Sequence, residues 1–196
     1  MTDIRLPSHD RIVAVLAFLD QANRLKDTLR SGNTPEGRQE STAEHSWRLC
    51  LLAILFSDNL EGIDLLRLLK ICIVHDLGEA ISGDIPATDQ RAGDGRALRE
   101  RADLITLCAP LPEDLKNEIV SLWDEYAEAQ SAEAIMAKGL DKIETMLTHS
   151  TGQNPVDFDY GFNLEYGLPA TDRHALLSAI RTHVDARTRA RASNKG

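Results

Sequence analysis

The chain has 196 residues, 42% of them hydrophobic and 27% charged, with a formal net charge of −9. That length closes one substantial hydrophobic core. The negative balance excludes duplex nucleic acid as the main partner, because affinity for it rests on clustered Lys and Arg.

The longest apolar run, near Leu49–Phe56, is about eight residues, too short to span a bilayer. The opening MTDIRLPSHD carries no basic patch, apolar core or small-residue cleavage site, so no signal peptide is expected. Cys50, Cys72 and Cys108 are odd in number, far apart and set in apolar helical stretches. They are expected to be buried reduced thiols, which places the protein in the cytoplasm.

Helical periodicity dominates, and no alternating strand stands out. Ser8 can cap a first helix with apolar positions Ile12, Leu16, Leu19 and Leu25, running to about Arg30. Ser31–Glu40, with Gly32, Pro35 and Gly37, reads as a polar loop. Ser41-Thr42-Ala43-Glu44 is a capping-box pattern that starts a second helix, to about Asp58, with His45 in its first turn.

The next helix, from about Ile63 to Ser82, contains LLRLLKICIVHDLGE and is apolar almost all round, which predicts a central, buried rod. His75 and Asp76 stand side by side near its end, with Glu79 one turn on from His75. An unpaired carboxylate in such a setting costs several kcal/mol or takes up a proton. A bound divalent cation would compensate it. Gly83 and Pro86 stop the helix.

Gln90–Pro110 is charged and amphipathic, and Pro112 opens another helix to about Ala129. Ser131 caps the next, in which Asp141 lies beside an apolar stripe of Met136, Leu140, Ile143 and Leu147. Thr151–Leu168 reads as a long loop, followed by a last helix from about Ala170 to Arg189. The basic cluster Arg187, Arg189, Arg191 and Lys195 is expected to be a solvated tail. Trp47 and Trp123 are expected in the core. The sum is one all-α domain over residues 1–196 of about seven helices: a core of about 9–150, a C-terminal loop and helix over 151–190, and a frayed tail over 191–196.

His45, the pair His75 and Asp76, and Asp141 can form one metal site, each expected on a helix. Imidazole with carboxylate suits Mn, Fe, Co, Ni or Zn, with Mg also possible. Four protein ligands on an octahedral ion leave two positions open, as a catalytic site requires. Glu79 can reach the same face and orient or deprotonate a water.

The blocks STAEHS, VHDLGEAISGDIPAT and KGLDKIE resemble the signatures of the HD-domain phosphohydrolases, over roughly Leu16 to Leu147. The branch most similar contains the bacterial 5′-deoxynucleotidases and the small eukaryotic HD-domain-containing proteins. The resemblance implies an α-helical fold, one divalent cation held by His45, His75, Asp76 and Asp141, and a homodimer. No histidine lies between Asp76 and Asp141, which favours a mononuclear site over the di-iron relatives. Glu79 is followed by Ala80 rather than a second acid, which counts against alarmone hydrolysis. Asn23-Arg24 resembles the family's phosphate clamp, making Arg24 the expected catalytic and phosphate-binding arginine. The family's ribose-excluding tryptophan is then replaced by Leu25. Asp84, Ile85, Pro86 and Ala87 resemble its substrate loop, with Asp84 accepting from a sugar hydroxyl.

The leading expectation is a phosphohydrolase that releases phosphate from nucleoside or deoxynucleoside 5′-monophosphates. A deoxynucleoside triphosphate triphosphohydrolase and a non-catalytic nucleotide-binding protein are the alternatives. The implied partner is a small phosphorylated substrate, not a nucleic-acid polymer or a membrane.

Overall fold

The computed structural model describes residues 6–91 and 93–193. It opens with α1 (His9–Ala22), where the Ser8 hydroxyl accepts from the Arg11 N–H. The helix does not reach Arg30. A 3-10 turn over Asn23–Lys26 ends it, and the Thr28 N–H and hydroxyl both return to the Arg24 carbonyl.

The stretch expected as a loop is an antiparallel hairpin. Strand β1 (Leu29–Asn33) pairs with β2 (Gln39–Ser41) in the register Leu29↔Ser41 and Asn33↔Gln39. Thr34 and Gly37, the latter at φ 88°, close the turn. Both strands are mostly polar, so neither carries the alternation that marks a strand facing a core. Gly32 lets β1 lie flat on a later helix, because a Cβ there would sit 2.7 Å from Thr148 Cγ2.

The capping box forms as expected. Ser41 Oγ accepts from the Glu44 N–H, and the Glu44 carboxylate accepts from the Ser41 N–H at 2.9 Å. Together they start α2 (Thr42–Leu55).

The long helix expected over 63–82 is broken. Helix α3 (Leu65–Val74) ends at His75, residues 75–78 form a turn, and the single-turn α4 (Glu79–Ser82) follows. So His75 and Asp76 sit on the turn, not inside a helix. Gly78 in that turn lets the neighbouring helix approach closely, since any Cβ there would lie 2.6 Å from its Glu100 carbonyl. Nor is α3 buried all round: Leu68, Ile71, Cys72 and Val74 face the core, while Leu66 and Ile73 are exposed.

Helices α5 (Arg96–Leu107) and α6 (Glu113–Glu128) lead to α7 (Ala132–Thr151), the longest among the described residues. Ser131 caps α7 by accepting from the Ala134 N–H. The expected loop over 151–168 contains α8 (Tyr160–Glu165), and α9 (Leu168–Thr171) precedes α10 (Ala175–Ser193). Helix α7 is the hub, packing against α2, α3, α6 and α10. Among the described residues seven helices have ten residues or more, and the fold is all-α apart from the hairpin.

Two smaller expectations change. Trp123 is buried but Trp47 is exposed. The tail is helical to Ser193, and Arg191 donates to the Gly152 carbonyl at 2.6 Å, so it is not simply frayed there; Lys195 lies outside the described residues. The three cysteines are free, Cys72 and Cys108 buried and Cys50 half-buried.

Candidate active site

Four side chains from three parts of the chain meet beside α7. His45 comes from the first turn of α2, His75 and Asp76 from the turn after α3, and Asp141 from α7. His45 Nε2 lies 3.3 Å from Asp141 Oδ1 and 3.8 Å from Asp76 Oδ2. His75 Nε2 lies 3.0 Å from Asp76 Oδ2 and 4.0 Å from Asp141 Oδ1. The ligand atoms of His45, His75 and Asp76 all fall within 4.8 Å of one another.

This donor set fits a divalent cation. Both Nε2 atoms are buried and have no hydrogen-bond partner. Their opposite nitrogens are engaged: His45 Nδ1 bonds Glu144 Oε2, and His75 Nδ1 lies 2.8 Å from the Cys72 carbonyl. A carbonyl can only accept, so His75 Nδ1 carries a proton and Nε2 is the nitrogen left to ligate a cation. The Glu144 carboxylate orders His45 in the same way, the usual arrangement behind a metal-ligating imidazole.

The cluster is short of positive charge. Burial works against the proton on His45, yet Glu144 and Asp141 push its pKa up to about 10. Asp76 is held well below the usual carboxylate range, with burial outweighed by His75 and Arg30. Asp141 is held low likewise, chiefly by Lys142 and His45 against burial.

A second layer fixes these groups. Glu144 is fully buried and takes Arg48 Nε at 2.6 Å. Arg48 also bonds the Thr148 hydroxyl, which donates to Glu40 at 3.0 Å. Asp141 Oδ2 accepts from the Tyr126 hydroxyl at 2.6 Å and lies 2.9 Å from Lys142 Nζ.

The cluster lies on a cavity of about 620 Å³. Asp76, Glu79, Asp84, Ile85, Pro86, Ala87 and Asp141 all line it. Arg24 does not: it is exposed at the end of α1. Leu25 is a core residue, 7% exposed, and it does not line the cavity either. The arginine that does is Arg30, from β1. It donates to Asp76 Oδ2 at 3.1 Å and to the Thr145 hydroxyl at 3.2 Å. Burial opposes its charge, but Asp76, Asp141, Asp84 and Glu79 outweigh burial and hold its pKa above the ordinary value. The residue after it, Ser31, also lines the cavity.

Glu79 is 8% exposed and its Oε2 accepts from the Thr42 hydroxyl at 2.9 Å. Burial, then Asp76 and Asp84, push its pKa up to about 9. Burial also raises Asp84, while Arg30 pulls the other way.

Sequence reasoning missed Arg30, Glu144, Arg48, Tyr126 and Lys142. The signal for Glu144 was its place three residues after Asp141, which puts both on one helix face. No comparable signal marked Arg30, because both strands of its hairpin are mostly polar.

The HD domain family model matches residues 22–181. Human 5′-deoxynucleotidase HDDC2 is 34% identical over 139 residues, 70% of this chain and 67% of its own length. The 5′-deoxynucleotidase hdd1 of Schizosaccharomyces pombe is 34% identical over 138 residues, 67% of this chain and 69% of its own. The chain thus spans about two thirds of the curated relatives it matches. Among solved structures, a predicted metal-dependent phosphohydrolase of Magnetospirillum magnetotacticum MS-1 superposes with a TM-score of 0.76 at 26% identity, covering 93% of this chain and 97% of its own.

Proposed function

The chain belongs to the HD domain family of metal-dependent phosphohydrolases, and from that premise we propose that it releases inorganic phosphate from nucleoside and deoxynucleoside 5′-monophosphates. One observation supports this most: two buried, unpartnered imidazole nitrogens face two ionised carboxylates on a cavity that Arg30 also enters. His45, His75, Asp76 and Asp141 would hold one divalent ion, and two imidazoles with two carboxylates suit Mn, Fe, Co, Ni or Zn, with Mg possible. Such an ion supplies Lewis acidity, lowering the pKa of water and polarising a phosphoryl oxygen.

The protein's own groups do the rest. Arg30 grips the non-bridging oxygens with its planar fork. Glu79, oriented by the Thr42 hydroxyl and ionised once a divalent ion beside Asp76 offsets the negative charge that keeps it protonated, would take the proton from the attacking water. Asp84 accepts from a sugar hydroxyl, while Ile85, Pro86 and Ala87 form the wall beside it. In the bacterial 5′-deoxynucleotidases a tryptophan after the clamp arginine excludes ribose. Here Ser31 follows Arg30 into the cavity, so ribonucleotides are expected to enter as well.

We further infer one HD domain over 1–196, a cytoplasmic location supported by the three free thiols, and a homodimer. Among the described residues no helix is long and apolar enough to cross a membrane. Trp47, Leu51, Ile54 and Leu55 expose one apolar face of α2, and Leu66 and Ile73 are exposed on the adjoining α3. A second copy covering that face would remove it from water. Trp47→Glu with Leu55→Glu should then give a monomer by light scattering, and an unchanged dimer mass would move the interface elsewhere.

The decisive experiment is phosphate release by protein reconstituted with Mn²⁺ or Co²⁺ on a panel of ribo- and deoxyribonucleotides. Release from monophosphates is expected. No release from any monophosphate would overturn the proposal, and triphosphate released from deoxynucleoside triphosphates would replace it with the alternative chemistry.

A further inference from the structure

Helix α7 lays out the cavity like a ruler. Asp141, Thr145 and His149 stand at i, i+4 and i+8, share one face, and all line the cavity. Each step is about 6 Å of helical rise, so His149 lies about 12 Å along the axis from Asp141. The first step carries the metal-ligating carboxylate. At the second, the Thr145 hydroxyl accepts from Arg30, the phosphate-binding group. The third lies beyond the phosphate, where the sugar and then the base of a nucleotide would extend.

What waits there is built for a ligand. His149 Nδ1 lies 3.0 Å from Asn163 Oδ1, and both residues are buried. The Asn163 side chain is 1% exposed, yet its Nδ2 has no hydrogen-bond partner. Turning the amide over would exchange the atom that meets His149 and still leave one polar atom unpaired. Among the described residues that line the cavity, only His75 and Asn163 carry such an orphaned buried side-chain atom. The His75 atom marks the metal position. The Asn163 atom marks a second place where something outside the protein should bond, since an unsatisfied buried amide costs about 1–3 kcal/mol.

Three aromatic rings line the cavity around this pair. Phe158 meets His149 edge-on at 4.9 Å, and Phe162 stacks on Tyr166 at 5.5 Å with a 28° interplanar angle. The segment that carries them is fixed at both ends. Asp159 accepts from the Gly161 and Phe162 N–H groups, and the buried Arg181 of α10 donates to the carbonyls of Asn163, Leu164 and Tyr166. On the opposite side, near Asp141, the polar groups are already engaged: the Tyr126 hydroxyl bonds Asp141, and Lys138 Nζ bonds the Tyr126 and Ala127 carbonyls.

We propose that His149 and Asn163, with Phe158, Phe162 and Tyr166, form a nucleobase subsite that bonds the polar edge of the base and packs its faces. The proposal rests on the nucleotide reading above and deepens it. With Nδ1 committed to Asn163 Oδ1, and burial holding the ring below its ordinary pKa, His149 Nε2 is an acceptor. Every nucleobase offers a donor next to an acceptor, so the pair selects nucleotides from other phosphate esters rather than one base from another.

The test has a binding arm and a kinetic arm. By calorimetry, thymidine and deoxyadenosine, which lack phosphate, should bind the wild type. Asn163→Leu and the milder Phe162→Leu should each weaken them about tenfold, the scale of one hydrogen bond or one stacking contact. In turnover, the kcat/KM ratio of deoxynucleoside monophosphate to 2-deoxyribose 5-phosphate should fall by a similar factor. Circular dichroism checks the fold of both variants. Wild type that binds neither nucleoside, or variants that leave both the affinity and the ratio unchanged, would overturn the subsite. Wild type that binds nucleosides but hydrolyses nothing would refute the proposed activity and leave the subsite standing.

Discussion

Exchanging the two arginines that compete for the phosphate puts the site to a direct test. Arg30 has a 13% exposed side chain, held between Asp76 at 3.1 Å and Thr145 at 3.2 Å. Arg24 is exposed and outside the cavity. A charge-assisted hydrogen bond to phosphate is worth about 1.5–3 kcal/mol, so Arg30→Ala should lower kcat/KM by roughly 10- to 150-fold. Arg30→Lys keeps the charge but loses the planar fork, and should fall between. Arg24→Ala removes a solvated side chain worth within about 0.5 kcal/mol, so its kcat/KM should stay within roughly twofold of wild type. The assay is phosphate release from a deoxynucleoside monophosphate at saturating Mn²⁺, with Tm recorded for each variant. Equal losses in the Arg24 and Arg30 variants, or an Arg30→Ala protein within twofold of wild type, would refute the assignment.

Glu144→Gln keeps the shape behind His45 but loses the charge. Its affinity for Mn²⁺, measured by competition with a chelator, should drop about 10- to 100-fold; an unchanged affinity would mean that Glu144 does not order the ligand. Glu79→Gln mimics the protonated acid that the metal-free fold favours, with its pKa near 9, so it should fold and bind metal normally while kcat falls about 10²- to 10⁴-fold. Wild-type turnover in that variant would remove Glu79 from the chemistry. His149 gives a pH signature. Its folded pKa is depressed by burial below the ordinary 6.5, so below that pH the unfolded chain binds more protons and stability is lost as pH falls. Between pH 7 and 5 the Tm of the wild type should therefore fall more steeply than that of His149→Gln, and parallel curves would contradict it.

The candidate metal cluster was legible because its chemistry is local. A histidine and an aspartate on adjacent residues at the end of an apolar run demand compensation wherever the chain goes. The capping box likewise put His45 within its helix's first turn before any packing was known. Arg30 was not legible in this way. Its approach to Asp76 depends on β1 pairing with β2 and lying on α7, a long-range arrangement that polar strands do not advertise. The break after Val74 was hidden because the apolar run of LLRLLKICIVHDLGE continues to Leu77, and the close approach of α5 at Gly78 accompanies the turn.

Helix α7 shows the same limit from the other side. Its apolar stripe, Met136, Leu140, Ile143 and Leu147, was read correctly as packing. The residues Asp141, Glu144, Thr145, Thr148 and His149 also follow helical spacing, and a polar stripe on a helix ordinarily faces water. Here all five are buried. One helix thus offers one face to the core and another to a cavity closed by the hairpin, the turn after α3 and the segment around α8. A polar face can be buried only if its groups find partners, and most do: Lys142, Arg48, Arg30, Glu40 and Asn163. Among the described residues around this face of the cavity, the atoms left without a partner include the imidazole nitrogens facing Asp141 and the Asn163 amide beside His149, about 12 Å apart in helical rise. Folding leaves those two positions unsatisfied, and a cation at one and a base at the other would satisfy both.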